Sequence, residues 1–317
     1  MVMAAVFNVN DFLHPLDMAA RGHLEGIPLL QSATKKYLGA VRDRRHRQYL
    51  LCSAIRLGPT QLPDIYRMLP PICDAFGIPE PELYLMGGEA NAYTTGHTQP
   101  AIVISNLLLE ALAEDEIQAV LAHECGHILA EHTLYRQMAQ AMLAFGQAGA
   151  SATGIGSTVA GLASAQIRNA LLNWYRKSEL TADRAAVAYL RGPEPMQRAL
   201  FHLMGVPKWM PAEISFTAFV QQAAEFDELS ESKWDRFLAR GLESGFTHPA
   251  PALRIKELGE WADSSAFRHL LGIAEAGQLD GRVGCAQCGY ELASDWRFCK
   301  RCGTPVAELA VPADGGA

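Results

Sequence analysis

The sequence predicts an α+β fold, mainly α, in which a small sheet comes before one central helix and a short cysteine-rich unit closes the chain. Three observations predict it. Apolar residues Ile117, Val120, Leu121, Ile128 and Leu129 recur near the 3.6-residue helical period. Three short extended runs, at residues 83–86, 89–94 and 101–105, stand just ahead of that stripe, broken by Gly87-Gly88 and by Gly96-His97-Thr98-Gln99-Pro100. Two Cys-x-x-Cys-Gly knuckles follow near the end. With 317 residues, 49% hydrophobic and 19% charged, the chain supports one sizeable globular domain with small appendages and is not a disordered protein.

In chain order, residues 1–59 read as an N-terminal helical segment that layers onto the main domain. Its first residues, Met1-Val-Met-Ala-Ala-Val-Phe, lack the positive n-region of a secretory signal, which points to the cytoplasm. The segment His14-Pro15-Leu16-Asp17 carries no assigned role, and Cys52 and Cys73, among apolar neighbours, are expected as buried thiols. Residues 60–274 form the main domain. Pro79 and Pro81 fall just ahead of the first extended run, where a missing N–H costs no ladder bond. Ser105 is placed to cap a short helix over 106–113, and Glu114, Asp115 and Glu116 put negative charge at the start of the next, where the helix dipole favours it. The apolar stripe of that second helix is expected to be buried while its opposite side faces a cleft. From Gln137 to Ile167, 31 residues carry no charge, long enough for one membrane span. Ala, Gly, Ser, Thr and Gln dominate there, however, so a small-residue helical hairpin over the cleft is favoured, with membrane association left open. Residues 275–281 read as a linker, 282–306 as the cysteine unit and 307–317 as a flexible tail.

The chemistry concentrates in His123-Glu124-Cys125-Gly126-His127. A helix turns about 100° per residue, so His123 and His127 lie about 40° apart and can present ring nitrogens to one metal ion. Glu124 then sits beside the open coordination position as a general base for water activated by zinc. Gly126 has no side chain where metal and substrate come close. A catalytic zinc usually has three protein ligands, so a third must come from elsewhere. Glu179 and Asp183, four residues apart on a predicted helix about fifty residues on, share a face. Taken alone such a pair is a solvated helix face. After the histidine motif it reads as a third ligand, Glu179, with Asp183 accepting the remaining N–H of a zinc histidine.

Cys285, Cys288, Cys299 and Cys302 have the spacing of a four-thiolate structural zinc site. A segment so short has too little core to fold without the metal, and no secretory signal argues for disulfides instead. The formal charge of −7, with no broad basic patch, argues against nucleic acid as the partner. A protein contact through the ribbon fits better.

The motif and the downstream Glu-x-x-Ala-Asp together resemble the gluzincin metallopeptidases of the HtpX-like group, which includes the CAAX prenyl endopeptidases. Asn91-Ala92-Tyr93-Thr94-Thr95-Gly96 is similar to the Asn-Ala-Phe/Tyr-x-x-Gly segment of that family. Ala101-Ile-Val-Ile-Ser105 is similar to its strand entering the first helix, and Thr247-His248-Pro249 with Arg254 to its late His-Pro…Arg segment. The likeness covers about residues 60–260, and Cys125 departs from it where the family more often has Leu or another apolar residue. It implies a zincin-like metallopeptidase domain with the sheet ahead of the active-site helix, and zinc as catalytic cofactor. It further implies that Asn91, Ala92, Tyr93 and Thr94 hold an extended substrate backbone by strand addition, where the residues alone would read as a polar hairpin. It brings His248 to the zinc cleft, either to stabilise the oxyanion or to ligate zinc in a resting state. Arg254 then pairs with an acidic group behind the ligands, or is a solvated charge.

The reading is a zinc endopeptidase acting on extended or misfolded polypeptides, with two zinc ions, one catalytic and one structural. Two alternatives stay open: a latent or non-catalytic, chaperone-like zinc-binding protein, and a zinc-ribbon adaptor.

Overall fold

The computed structural model describes residues 7–25, 43–136, 165–206, 214–228 and 250–278. Its architecture is mainly helical with one four-stranded mixed sheet, the fold class expected from the sequence. The chain divides into two units, residues 1–262 and 263–317.

In the first unit, α1 (Val9–Phe12) and α2 (Pro15–Glu25) lead in, and α3 (Asp43–Ser53) follows. The sheet comprises β1 (Ile55–Arg56), β2 (Glu82–Met86), β3 (Ala92–Thr95) and β4 (Ala101–Ser105), in the order β1-β2-β4-β3. β2 runs parallel to β4, while β1 and β3 are antiparallel to their neighbours. β4 is buried along its whole length, as its continuous apolar run requires, and β3 forms an edge. Helix α4 (Pro63–Phe76) lies between β1 and β2 in sequence, and its Phe76 ring meets Phe7 and Phe12, which ties the N-terminal segment down.

Two expectations for this region change. The helical reading of residues 1–59 ends at Ser53, because Ile55 and Arg56 pair with Leu85 and Tyr84 and extend the sheet. Glu82 holds that corner, accepting two hydrogen bonds from Arg47 at 2.7 and 2.9 Å with Arg56 at 3.4 Å. Cys73 is buried, but Cys52 is exposed on the outer side of α3 with Tyr49 and Leu51, while Leu50 turns into the core.

Ser105 caps α5 (Asn106–Ala111), accepting from the Leu108 N–H at 3.1 Å. α6 (Glu114–Leu129) follows, its Glu116 carboxylate accepting from the Ala113 N–H at 3.0 Å and from Arg198 and His202 of α8 (Glu194–Leu203). The long helix α7 (Ala165–Leu190) lies against α6 and α2. Gly126 explains the close approach of α6 and α7: a Cβ there would lie 2.7 Å from the Ala185 Cβ and 3.3 Å from the Ala182 Cα. Its role is therefore helix contact, where the sequence suggested room for metal and substrate. α9 (Phe216–Glu228) and α10 (Pro251–Ala262) are the last described elements of the unit. In the second unit α11 (Ser265–Gln278) is described, so residues 275–278, expected to begin a linker, continue a helix.

Among the described residues no helix is long and apolar enough to cross a membrane. Residues 137–164, the bulk of the uncharged stretch, lie outside the described residues, as do His248 and the four ribbon cysteines.

Candidate metal centre and active site

α6 is buried on nearly all sides, so its histidines do not sit on an open face as the apolar stripe suggested. His123 is 5% exposed, Glu124 3% and His127 0%. The four-residue spacing brings the Nε2 atoms of His123 and His127 to 3.2 Å from one another. From α7, the Glu179 carboxylate reaches both, with Oε2 3.5 Å from His123 Nε2 and Oε1 3.4 Å from His127 Nε2. A tetrahedral ion about 2.0–2.1 Å from each donor sets the donors about 3.3–3.4 Å apart, so these spacings fit zinc. The donor set, two imidazoles and one carboxylate, also suits that ion, since a catalytic zinc usually takes three protein ligands and leaves the fourth position to water.

Each ligand candidate is held from behind. Asp183 Oδ1 lies 2.9 Å from His123 Nδ1, and Arg254 of α10 donates to Asp183 through Nε at 2.7 Å and a terminal nitrogen at 2.5 Å. Burial works against the charge of Asp183, but Arg254 and His123 outweigh it and hold the carboxyl below its usual range. Glu179 sits between two buried guanidinium groups, Arg254 and Arg136, each at 3.7 Å. Arg136 in turn donates to the Tyr175 hydroxyl at 3.0 Å and lies over the Tyr175 ring at 4.8 Å.

The two histidines differ electrically. Burial disfavours a proton on His123, yet Asp183 and Glu179 overcome this and push it up to about 9. Burial and Arg136 hold His127 well below the ordinary histidine range. The difference favours a proton on His123 over one on His127. A divalent cation between the two imidazoles would take that proton's place.

Glu124 is clamped by Thr94 of β3, whose hydroxyl donates to Oε2 at 2.6 Å. Of the four residues expected to bind substrate backbone, Asn91 is exposed, Ala92 and Thr94 are turned inward, and Tyr93 is half-buried with its ring 6.4 Å from His46. Among the described residues Thr94, His132, Arg136 and Asp17 also surround the site, and the sequence reading gave none of them this role. His132 was within reach of inspection, five residues after His127. Cys125 is fully buried within the motif, where a thiol packs as a small hydrophobe.

A family model described as Peptidase family M48 matches residues 59–262, and one described as a zinc-ribbon domain matches residues 285–306. The chain is 30% identical over 274 residues to the plastoglobule-localized metallopeptidase 48, chloroplastic, of Arabidopsis thaliana, covering 83% of this chain and 76% of that protein. It is 29% identical to a protease HtpX homolog of Janthinobacterium sp. (strain Marseille), covering 41% of this chain and 53% of that protein. With the HtpX homolog of Nostoc punctiforme the identity is 30%, covering 48% and 60%. The chain therefore spans only about half to three-fifths of the length of these two HtpX homologues.

Proposed function

The chain belongs to peptidase family M48, a family of zinc metalloendopeptidases, and on that premise we propose that it hydrolyses peptide bonds of extended or misfolded polypeptides at the α6–α7 site. The observation that carries this reading is the fit of His123 Nε2, His127 Nε2 and Glu179 to one tetrahedral ion, with Glu124 held beside them.

His123, His127 and Glu179 would hold the zinc ion, which when bound would supply a Lewis acid for the scissile carbonyl and for water near neutral pH. Glu124 takes the proton from the attacking water and returns it to the leaving amine, and the Thr94 hydroxyl fixes its carboxylate for both steps. Asp183, clamped by Arg254, accepts the Nδ1–H of His123 and so keeps Nε2 free as a ligand. The outer edge of β3 is suited to pair with an extended backbone, which favours unfolded segments as substrates. His248 acts at the same cleft, on the oxyanion or as a resting-state ligand. The peptidase domain, 60–274, carries the chemistry, and the ribbon, 282–306, holds a structural zinc through Cys285, Cys288, Cys299 and Cys302 and contacts a protein partner. We place the protein in the cytoplasm, with peripheral membrane association through 137–167 the alternative that fractionation decides.

The test is cleavage of casein by the wild type and by Glu124→Gln, with zinc counted in each. Turnover by the wild type alone, with two zinc ions in both, supports the proposal. Silence in both with two zinc ions favours the latent reading, which the burial of His123 and Glu124 also supports. Activity appearing on His248→Ala would then identify His248 as the block.

A further inference from the structure

Asp183 accounts for the orientation of His123, but His127 turns its other nitrogen away from Asp183. His127 Nδ1 lies 2.9 Å from His132 Nδ1, and His132 Nε2 lies 3.0 Å from Asp17 Oδ2. Asp17 belongs to α2, more than a hundred residues earlier in the chain. Thr181 of α7 donates to the same Oδ2 at 2.6 Å, and the Thr181 oxygen accepts from the His14 N–H at 3.1 Å. The Trp174 ring stands edge-on to His132 at 5.5 Å. Asp17, His127 and Thr181 are 0% exposed and His132 1%.

We propose that Asp17 and His132 are positioning residues for the metal, a carboxylate–imidazole relay from the N-terminal segment that fixes the tautomer and angle of His127. The inference rests on the reading that His127 is a zinc ligand. If Nε2 of His127 gives its lone pair to the metal, Nδ1 carries the hydrogen and needs an acceptor. His132 Nδ1 is the acceptor at 2.9 Å, which places the His132 hydrogen on Nε2, where Asp17 accepts it at 3.0 Å. One set of tautomers therefore satisfies every nitrogen in the chain, and no atom is left facing a like partner. The two zinc histidines are thus held differently: His123 by a carboxylate directly, His127 by a carboxylate acting through a second imidazole. The segment His14-Pro15-Leu16-Asp17, without a role in the sequence, becomes part of the metal centre. Pro15 opens α2 and Asp17 lies in its first turn, so the helix start aims the carboxylate at His132.

Two substitutions at 132 separate the relay from simple packing. The amide of Asn reaches about as far as Nδ1 and keeps an acceptor for His127, whereas Gln reaches toward the Nε2 position, bonds Asp17 and leaves His127 without one. The measurement is chelator competition on the full-length protein, following the release of its two zinc ions. In His132→Gln one ion is expected to leave at about 10–100-fold lower chelator concentration, while the ribbon ion is unmoved. His132→Asn is expected to recover most of that loss. Asp17→Asn, which keeps the volume, should show a loss in the lower part of that range and serves if Gln at 132 does not fold. Release from His132→Gln identical to wild type would overturn the relay, and so would equal losses in the Asn and Gln variants, which a packing role predicts. A wild type holding only the ribbon zinc would instead sink the metal-site reading itself.

Discussion

Gly126→Ala is a one-methyl change whose effect can be worked out from the α6–α7 contact. The new Cβ would stand 2.7 Å from the Ala185 Cβ and 3.3 Å from the Ala182 Cα, neither of which belongs to a flexible side chain. Carbon atoms rest about 3.5–4.0 Å apart, so relief requires the helices to separate by about 1 Å. Glu179 rides on α7 and the histidines on α6, so the 3.4 and 3.5 Å spacings between them would open by a similar amount. Overpacking of this kind costs about 1–3 kcal/mol, and the better helix propensity of Ala offsets about 1 kcal/mol of it. Stability thus changes little, while a misplacement of about 1 Å lowers turnover about 100-fold. The assay is kcat/KM on an unfolded fluorogenic protein, with zinc retention by chelator competition alongside. Gly126→Ala/Ala185→Gly removes the 2.7 Å contact and should restore most of both. An active, zinc-tight Gly126→Ala, or a double variant no better than the single one, would refute the reasoning.

Three further outcomes follow from the site. Thr94→Val removes the hydroxyl donated to Glu124; a hydrogen bond to a charged group contributes about 1.5–3 kcal/mol, so kcat should fall tenfold or more with zinc content unchanged, and a kcat within twofold of wild type would contradict the clamp. Arg254→Met leaves the Asp183 carboxylate buried without its guanidinium, and breaking such a pair costs about 3–5 kcal/mol, which urea unfolding should show as a lower midpoint. The metal-free protein should lose stability with rising pH. His123 titrates near 9 when folded against 6.5 unfolded, so its contribution is complete below about pH 6.5 and is lost as the pH passes through about 9. At about 1.4 kcal/mol per unit the loss is at most about 3.5 kcal/mol, and a flat metal-free profile across that window would contradict the arrangement.

The parts of the site that were legible in the sequence are those fixed by local geometry. His123, Glu124 and His127 share one helix, and their spacing alone fixes their relative direction. Glu179 and Asp183 were legible as a pair for the same reason, and the strands of residues 82–105 announced themselves by short extended runs and glycine breaks. What escaped depends on which elements meet. Nothing around Asp17 says that α2 comes to rest beside His132, and nothing around Ile55 says that two residues after a helix will pair with β2. Gly126 shows how a local reading goes astray. Three residues from His123, it was assigned to the ligand side, yet the atoms that exclude a Cβ belong to α7. Cys52 errs the same way, since apolar neighbours in sequence do not decide which side of an exposed helix a residue occupies.

The central claim is that one zinc ion sits between α6 and α7, and anomalous diffraction at the zinc edge from crystals of the full-length protein tests it most directly. The account predicts a peak about 2.0–2.2 Å from Nε2 of His123, Nε2 of His127 and a Glu179 oxygen, separate from the zinc of the ribbon. A zinc-loaded crystal with no peak there, or with the ion on Asp183 or His132 in place of these atoms, would contradict it.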